Sequence, residues 1–289
     1  MDFVTIGNPG NAADTTGSPN PVGRVDYIYY LGKYEISRSM IEKANPNLGL
    51  SFEITQTSLR HFGGDGPDRP ATGISWNEAA RFVNWLNTSK GYHPAYNFEG
   101  AREAMINTDI VLWGENQYSG DNRFRHKDAH YFLPSVDEWY KAAYGSPDGT
   151  WSDFPTASNN PPVSVVGGTD AGSAVWGMNW PGSPADIYNA GGASAYGTIG
   201  QGGNISEWNE SAFDGTNDDP SEPREMRGGS WVNSFEYLDA SNRQSYGPGL
   251  EASEFIGFRI AMVPEPSSLS LLALGGVLVA LGRRRQKRA

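Results

Sequence analysis

Residues 75–88 read SWNEAARFVNWLNT, and residues 131–144 read YFLPSVDEWYKAAY. Each stretch holds a serine followed three positions later by glutamate, Ser75 with Glu78 and Ser135 with Glu138. That spacing is a capping box, in which the serine hydroxyl accepts from the glutamate amide while the carboxylate reaches back to the serine amide. Behind the first box Ala79, Phe82, Val83 and Leu86 recur at helical spacing, and behind the second Trp139, Ala142 and Ala143 do so. Two helices are predicted, ending near Thr88 and Tyr144. Upstream, residues 3–6 and 25–37 (VDYIYYLGKYEIS) alternate β-branched and aromatic residues as half-buried strands do, and Gly7–Gly23 between them is a turn region. Beyond Gly145 no helical period returns for over a hundred residues. Trp, Tyr, Gly and Asn recur there instead, so loops and short strands packed around aromatic rings are expected.

Composition supports a turn-rich fold with a large core. The 289 residues include 36 Gly and 19 Pro, well above the roughly 12% of an ordinary chain, and no collagen-like period accompanies them. Nine Trp, 14 Tyr and 12 Phe can fill a core of that size. There is no cysteine, which excludes disulfide staples, thiolate metal sites and cysteine nucleophiles together. No internal repeat or linker interrupts the chain before Val263, so the simplest parse is one domain, 1–263, followed by a tail, 264–289.

The tail has three parts. Pro264-Glu265-Pro266 ends any preceding element. Residues 267–282 are uncharged and rich in Leu, Ala, Val and Gly, and as a helix they span roughly 24 Å, short of the roughly 30 Å hydrocarbon core. Arg283, Arg284, Arg285, Lys287 and Arg288 close the chain, and the positive-inside rule keeps them cytoplasmic with the body on the far side. A sorting and membrane-anchoring role is expected. Residues 1–17 show neither a basic nor an apolar leader, so an export leader is expected upstream of Met1. Five of the 22 basic residues but only one of the 33 acidic residues lie beyond Val263, which leaves the body at −15. Such a body repels nucleic acid and anionic lipid, and the single RGG at 227–229 is no argument for RNA.

Five segments in order, GKYEIS (32–37), SWNEAARFVNWLN (75–87), YFLPSVDEWYKAAY (131–144), GGNISEW (202–208) and RGGSW with GFRIA (227–231, 257–261), resemble the formylglycine-generating enzyme, or sulfatase-modifying factor, family. The tail resembles the PEP-CTERM sorting signal that exosortases process in Gram-negative bacteria making exopolysaccharide. The first resemblance implies an α+β fold of the C-type-lectin-like kind with few regular elements, followed here by a C-terminal hydrophobic helix. It also implies a copper site built from two cysteines, three and eight residues after the serine of RGGS. In this chain that serine is Ser230, and the two places hold Asn233 and Leu238. Neither offers the soft thiolate that cuprous ion needs, so no copper is expected.

The resemblance further implies calcium ligands in GGNISEW: the Gly203 and Ile205 carbonyls and the Glu207 carboxylate, an all-oxygen set of the kind calcium prefers. Gly200 stands where the family commonly has Asn or Asp. The alternative for this segment is a tight turn that packs Trp208. A ligand groove is expected around Ser230, Trp231, Asn233 and Arg243, with a glycan or a surface protein as its partner, whereas Arg227 and Arg259 are read as framework needing carboxylate or carbonyl partners. His126 and His130 stand four apart, and the acidic loop Asp214–Asp219 lacks the calcium-loop order, so neither is taken as a metal site. The function expected is that of an exported, non-catalytic binding module of the cell surface. Its rival is an oxidoreductase-type enzyme with an altered site, for which four scattered histidines supply no convincing cofactor ligands.

Overall fold

Both capping boxes close. In the computed structural model, Ser75 accepts from the Glu78 amide and opens a helix at Trp76–Thr88, while Ser135 accepts from the Glu138 amide and opens one at Val136–Tyr144. The structure describes residues 1–47, 66–98, 110–179, 182–250 and 253–264. Within these, the strands are β1 (Phe3–Ile6), β2 (Tyr29–Gly32), β3 (Tyr131–Phe132), β4 (Val163–Ser164), β5 (Ser173–Ala174), β6 (Ser206–Ala212), β7 (Arg224–Arg227), β8 (Gln244–Tyr246), β9 (Ile256–Gly257) and β10 (Ala261–Met262). The helices are α1 (Arg38–Ala44), α2 (Trp76–Thr88) and α3 (Val136–Tyr144).

One sheet runs β1-β2-β10-β3, antiparallel at each pairing, with Phe3 opposite Gly32 and Ala261 opposite both Leu31 and Phe132. A second runs β8-β7-β6-β9, in which β6 and β9 are parallel, and β4 and β5 form a small parallel pair. The first sheet thus joins the N-terminus to the last strand before the tail. The strand read over 25–37 is shorter than expected: it ends at Gly32, and α1, which had no clear signal, begins at Arg38 after Ser37. The reason is a long-range one. The Gly32 and Lys33 carbonyls accept from the Arg259 guanidinium at 2.9 and 3.3 Å, and the first amides of α1 donate to the Arg69 and Pro67 carbonyls.

The main core joins Ile6, Leu31, Ile36, Ile74, Phe82, Val83, Trp208 and Phe258, and each fully buried aliphatic or aromatic side chain contributes roughly 1.5–3 kcal/mol. Indole N–H groups find carbonyls within it: Trp76 donates to Asn209 and Trp208 to Ile74. A second cluster gathers Val22, Trp139, Tyr140, Ala143 and Tyr144 against the far side of α3. The central strand β6 is buried at every one of its seven positions although its sequence is SEWNESA. Buried polar groups at such positions must be hydrogen-bonded, and their partners organise the rest of the molecule.

Of the tail, only Pro264 is described. Glu265, Pro266, the apolar stretch 267–282 and Arg283–Arg285 lie outside the described residues. Among the described residues, no helix is long and apolar enough to cross a membrane.

Candidate functional site

The segment RGGSW follows β7 into a tight turn. Gly228 has φ +90°, and a Cβ there would lie 2.5 Å from the Gln201 carbonyl oxygen, so only glycine lets residues 227–231 press against residues 201–204. The Trp231 amide then donates to the Asn204 carbonyl. Ser230 is fully buried, and both its amide and its hydroxyl donate to Asn233 Oδ1 at 2.8 Å. Leu238 is also fully buried, packed with Phe154 and Ala174. The two places of the family's cysteines therefore hold a turn-closing amide and a core side chain.

The expected ligand groove is corrected by this packing. Trp231 is 1% exposed and lies against Val175, Ala185 and Phe255, so Ser230 and Trp231 offer no open face. Arg243 is spent on Glu225 and on the Phe213 carbonyl, both at 2.7 Å. Arg227 and Arg259 are framework. Arg227 Nε donates to Glu225 at 2.6 Å, and its guanidinium also reaches the carbonyls of Ser18, Ala240 and Asn242.

Glu207 of GGNISEW is not a free carboxylate. Its Oε2 accepts from Arg259 Nε and from Trp139 Nε1, and its Oε1 accepts from Arg259 Nη2, all at 2.6 Å. Beside it stands Glu35, buried and absent from the expected ligand set. Among the described residues its hydrogen-bonding side chain is Asn204, whose Nδ2 donates to both carboxylate oxygens at 3.0 Å, while Asn204 Oδ1 accepts from the Ala185 amide. Burial and the nearby charge of Glu207 push the Glu35 carboxyl well above its usual range, outweighing Arg259 and the Asn204 bond. Gly200 lies directly over this carboxylate. With φ +76°, a Cβ at 200 would sit 3.0 Å from the Glu35 carboxyl carbon, so the missing side chain is the space that Glu35 fills. Of the two buried carboxylates, Arg259 hydrogen-bonds Glu207, while Glu35 bonds the neutral Asn204 amide and is pushed toward its protonated form. The signal that could have found Glu35 is in GKYEIS itself, where one acid stands among strand and core residues. Among the described residues, no group of three or more His, Asp or Glu side chains converges as a metal site.

A second buried ionic group underlies an open cleft of about 630 Å³. Arg125 lies over the Phe132 ring at 3.7 Å and bridges two acids, with Nη2 2.8 Å from Glu138 and 2.6 Å from Glu210. Tyr27 adds a hydrogen bond to Glu138, and Tyr96 one to Glu210. Burial alone would push the Glu138 carboxyl up, but Arg125, Tyr27 and the Ser135 amide together hold it below the usual range. The sequence marks Glu138 only as a helix cap, and Glu210 lies in the polar, fully buried strand β6. Neither role is visible without knowing which loops meet.

Among the described residues, His93, His126 and His130 are packing groups. The His126 ring stacks on His93 at 3.6 Å, and His130 stacks on Tyr92 at 4.2 Å. His126 Nδ1 accepts from the Asp128 amide, so the four-residue spacing does not bring the two rings to one ion. In the acidic loop, Asp214 accepts from the Thr216 amide and Asn217 from the Ala212 amide, and Gly215 and Asn217 of this turn line the cleft.

The profile of the sulfatase-modifying factor enzyme 1-like domain matches residues 4–263, and that of the PEP-CTERM protein-sorting motif matches residues 263–286. No curated protein matches the chain significantly. Among solved structures, CarF aligns over 92% of this chain and 99% of its own at TM-score 0.63 and 18% identity. The Treponema denticola variable protein 1 aligns over 91% and 95% at TM-score 0.61 and 20% identity. PvdO from Pseudomonas aeruginosa aligns over 91% and 94% at TM-score 0.52 and 18% identity. At such identities the likeness concerns the fold, which agrees with the loop-rich mixture of short sheets and few helices described above. The sorting motif implies processing by an exosortase-type system and export to the Gram-negative cell envelope. The chain belongs to the sulfatase-modifying factor enzyme 1-like, or formylglycine-generating enzyme, family and carries a PEP-CTERM sorting motif at its C-terminus.

Proposed function

We propose that this protein is a non-catalytic binding module of the cell envelope or its exopolysaccharide matrix, sorted by an exosortase and held in the membrane through residues 267–282 until it is processed. One observation carries the non-catalytic reading: Asn233 and Leu238 occupy the two cysteine places, and each is committed to the fold, Asn233 to Ser230 and Leu238 to the core. Neither carries a group that binds cuprous ion or cycles between redox states. An oxygen-uptake assay with a cysteine-containing peptide, run after exposure to cuprous ion, is expected to give no consumption above a copper-only blank. Peptide-dependent uptake overturns this reading in favour of an enzyme with altered chemistry.

Calcium belongs to the same proposal. Glu35, with carbonyls of Gly203 and Ile205 and the second lone pair of Glu207 Oε1, whose first is taken by Arg259, would hold the ion, and its charge would offset the Glu35 carboxylate that Arg259 does not reach. Its contribution is structural, since it would join the turn after β2 to the entry of β6. Calorimetric titration is expected to show calcium binding with a rise in melting temperature; no heat and no rise would remove calcium from the account.

A further inference from the structure

The cleft over Arg125 lies apart from the RGGSW turn, and its walls carry groups that the fold does not use up. Asp137 accepts from the Gly23 amide through Oδ1 alone, at 2.6 Å, and burial pushes its carboxyl above the usual range. Asn217 bonds the Ala212 amide and Asn122, leaving part of its amide capacity toward the opening. Tyr27 is 43% exposed, yet its hydroxyl is fixed by a 2.5 Å bond to Glu138, so its ring is an oriented apolar plate. At about 630 Å³ the cleft is of the size that encloses a small ligand.

We propose that this cleft binds a neutral, hexose-type segment of a polysaccharide. The inference rests on the reading of the chain as an envelope binding module and adds where the ligand sits and what chemistry it has. A polyanionic glycan is disfavoured, because Asp121 and Asp137 on the cleft wall, with Glu138 and Glu210 beneath it, outnumber Arg125 and Lys127, and the body carries −15. A basic peptide is disfavoured for a different reason: the Arg125 guanidinium already occupies the faces of Glu138 and Glu210 that a second cation would need. A neutral sugar fits what remains. Its hydroxyls donate to Asp137 and exchange hydrogen bonds with Asn217, and its apolar face stacks on the Tyr27 ring.

Isothermal calorimetry on the full chain in detergent, with dextran, galactomannan and laminarin as neutral hexose probes and alginate and oligolysine as charged ones, tests this. Binding to at least one neutral probe is expected, indifferent to added salt. Tyr27→Ala and Asp137→Asn are each expected to weaken it by about tenfold or more, whereas Tyr27→Phe, which keeps the plate, stays within about twofold. Tyr237→Ala, at a 39% exposed ring beside the RGGSW turn, is the control and is expected to bind normally. Melting curves identify any variant that fails to fold, and the remaining cleft variant then decides. Neutral-glycan binding untouched by the cleft variants overturns this site while leaving the binding-module reading intact. Preference for alginate or oligolysine, or no neutral-glycan binding at all, overturns the ligand class.

Discussion

Arg259 closes on Glu207 through two parallel hydrogen bonds, Nε to Oε2 and Nη2 to Oε1, each 2.6 Å long, and neither side chain is exposed to solvent. The same guanidinium reaches the carbonyls of Gly32, Lys33 and Ile199. One side chain near the C-terminal end of the body therefore fastens β2, the loop before GGNISEW and β6. A bidentate pair of this kind fixes geometry as well as charge. Removing one partner leaves the other charge buried and unpaired, so Glu207→Ala and Arg259→Leu are each expected to cost about 3–5 kcal/mol in urea denaturation. Replacing both by apolar residues is expected to recover only part of that loss, because the Gly32, Lys33 and Ile199 carbonyls and the Trp139 indole then lack their partners.

Glu35 provides a pH test with a definite sign. Its folded pKa lies above the unfolded value of about 4.3, so its contribution to stability is present at low pH and is lost as pH rises through the folded pKa. Without calcium, Glu35→Gln is therefore expected to be more stable than the native chain at neutral pH, the difference shrinking as pH falls toward about 4. The same substitution is expected to abolish stabilisation by calcium, measured as the shift in melting temperature.

Glu138 behaves in the opposite sense. Its folded pKa lies below the unfolded value, so its contribution is present above about pH 4.3 and is lost as pH falls through the folded pKa. Glutamine preserves the capping box, so Glu138→Gln isolates the ion pair with Arg125. A loss of about 3 kcal/mol is expected at pH 7, narrowing in acid denaturation series below pH 4.

The turn that replaced the cysteine pair is now a stability element. Leu238→Ala is expected to cost about 2–5 kcal/mol by opening a cavity beside Phe154 and Ala174, and Asn233→Ala about 1–3 kcal/mol by leaving the buried Ser230 donors without their acceptor. Thermal unfolding of the two variants checks both. Unchanged stability of Asn233→Ala would show that its contact with Ser230 is not the reason for its place.

Local signals and tertiary ones were unequally legible in the sequence. Ser75 with Glu78 and Ser135 with Glu138 declared their helices, because a capping box is complete within four residues. Arg227 and Arg259 could be read as framework because a buried guanidinium must find acceptors. By contrast the end of β2 meets Arg259, more than 200 residues away, and the start of α1 meets the Arg69 and Pro67 carbonyls, and no local pattern announces either contact. The groove expected at Ser230 and Trp231 failed for the same reason: whether a serine and a tryptophan line a surface or fill a core depends on what Val175, Ala185 and Phe255 do. Glu35, Glu138 and Glu210 were hidden by the opposite effect. Each acid lies in a segment of core pattern and looks like a surface residue until its partner is known.

The central claim, that the cysteine-less turn holds no oxidase centre, meets its most direct test in a cuprous-ion competition titration against bicinchoninate. The purified protein is expected to leave the chelator's copper untouched. Withdrawal of one equivalent of cuprous ion per chain would contradict it.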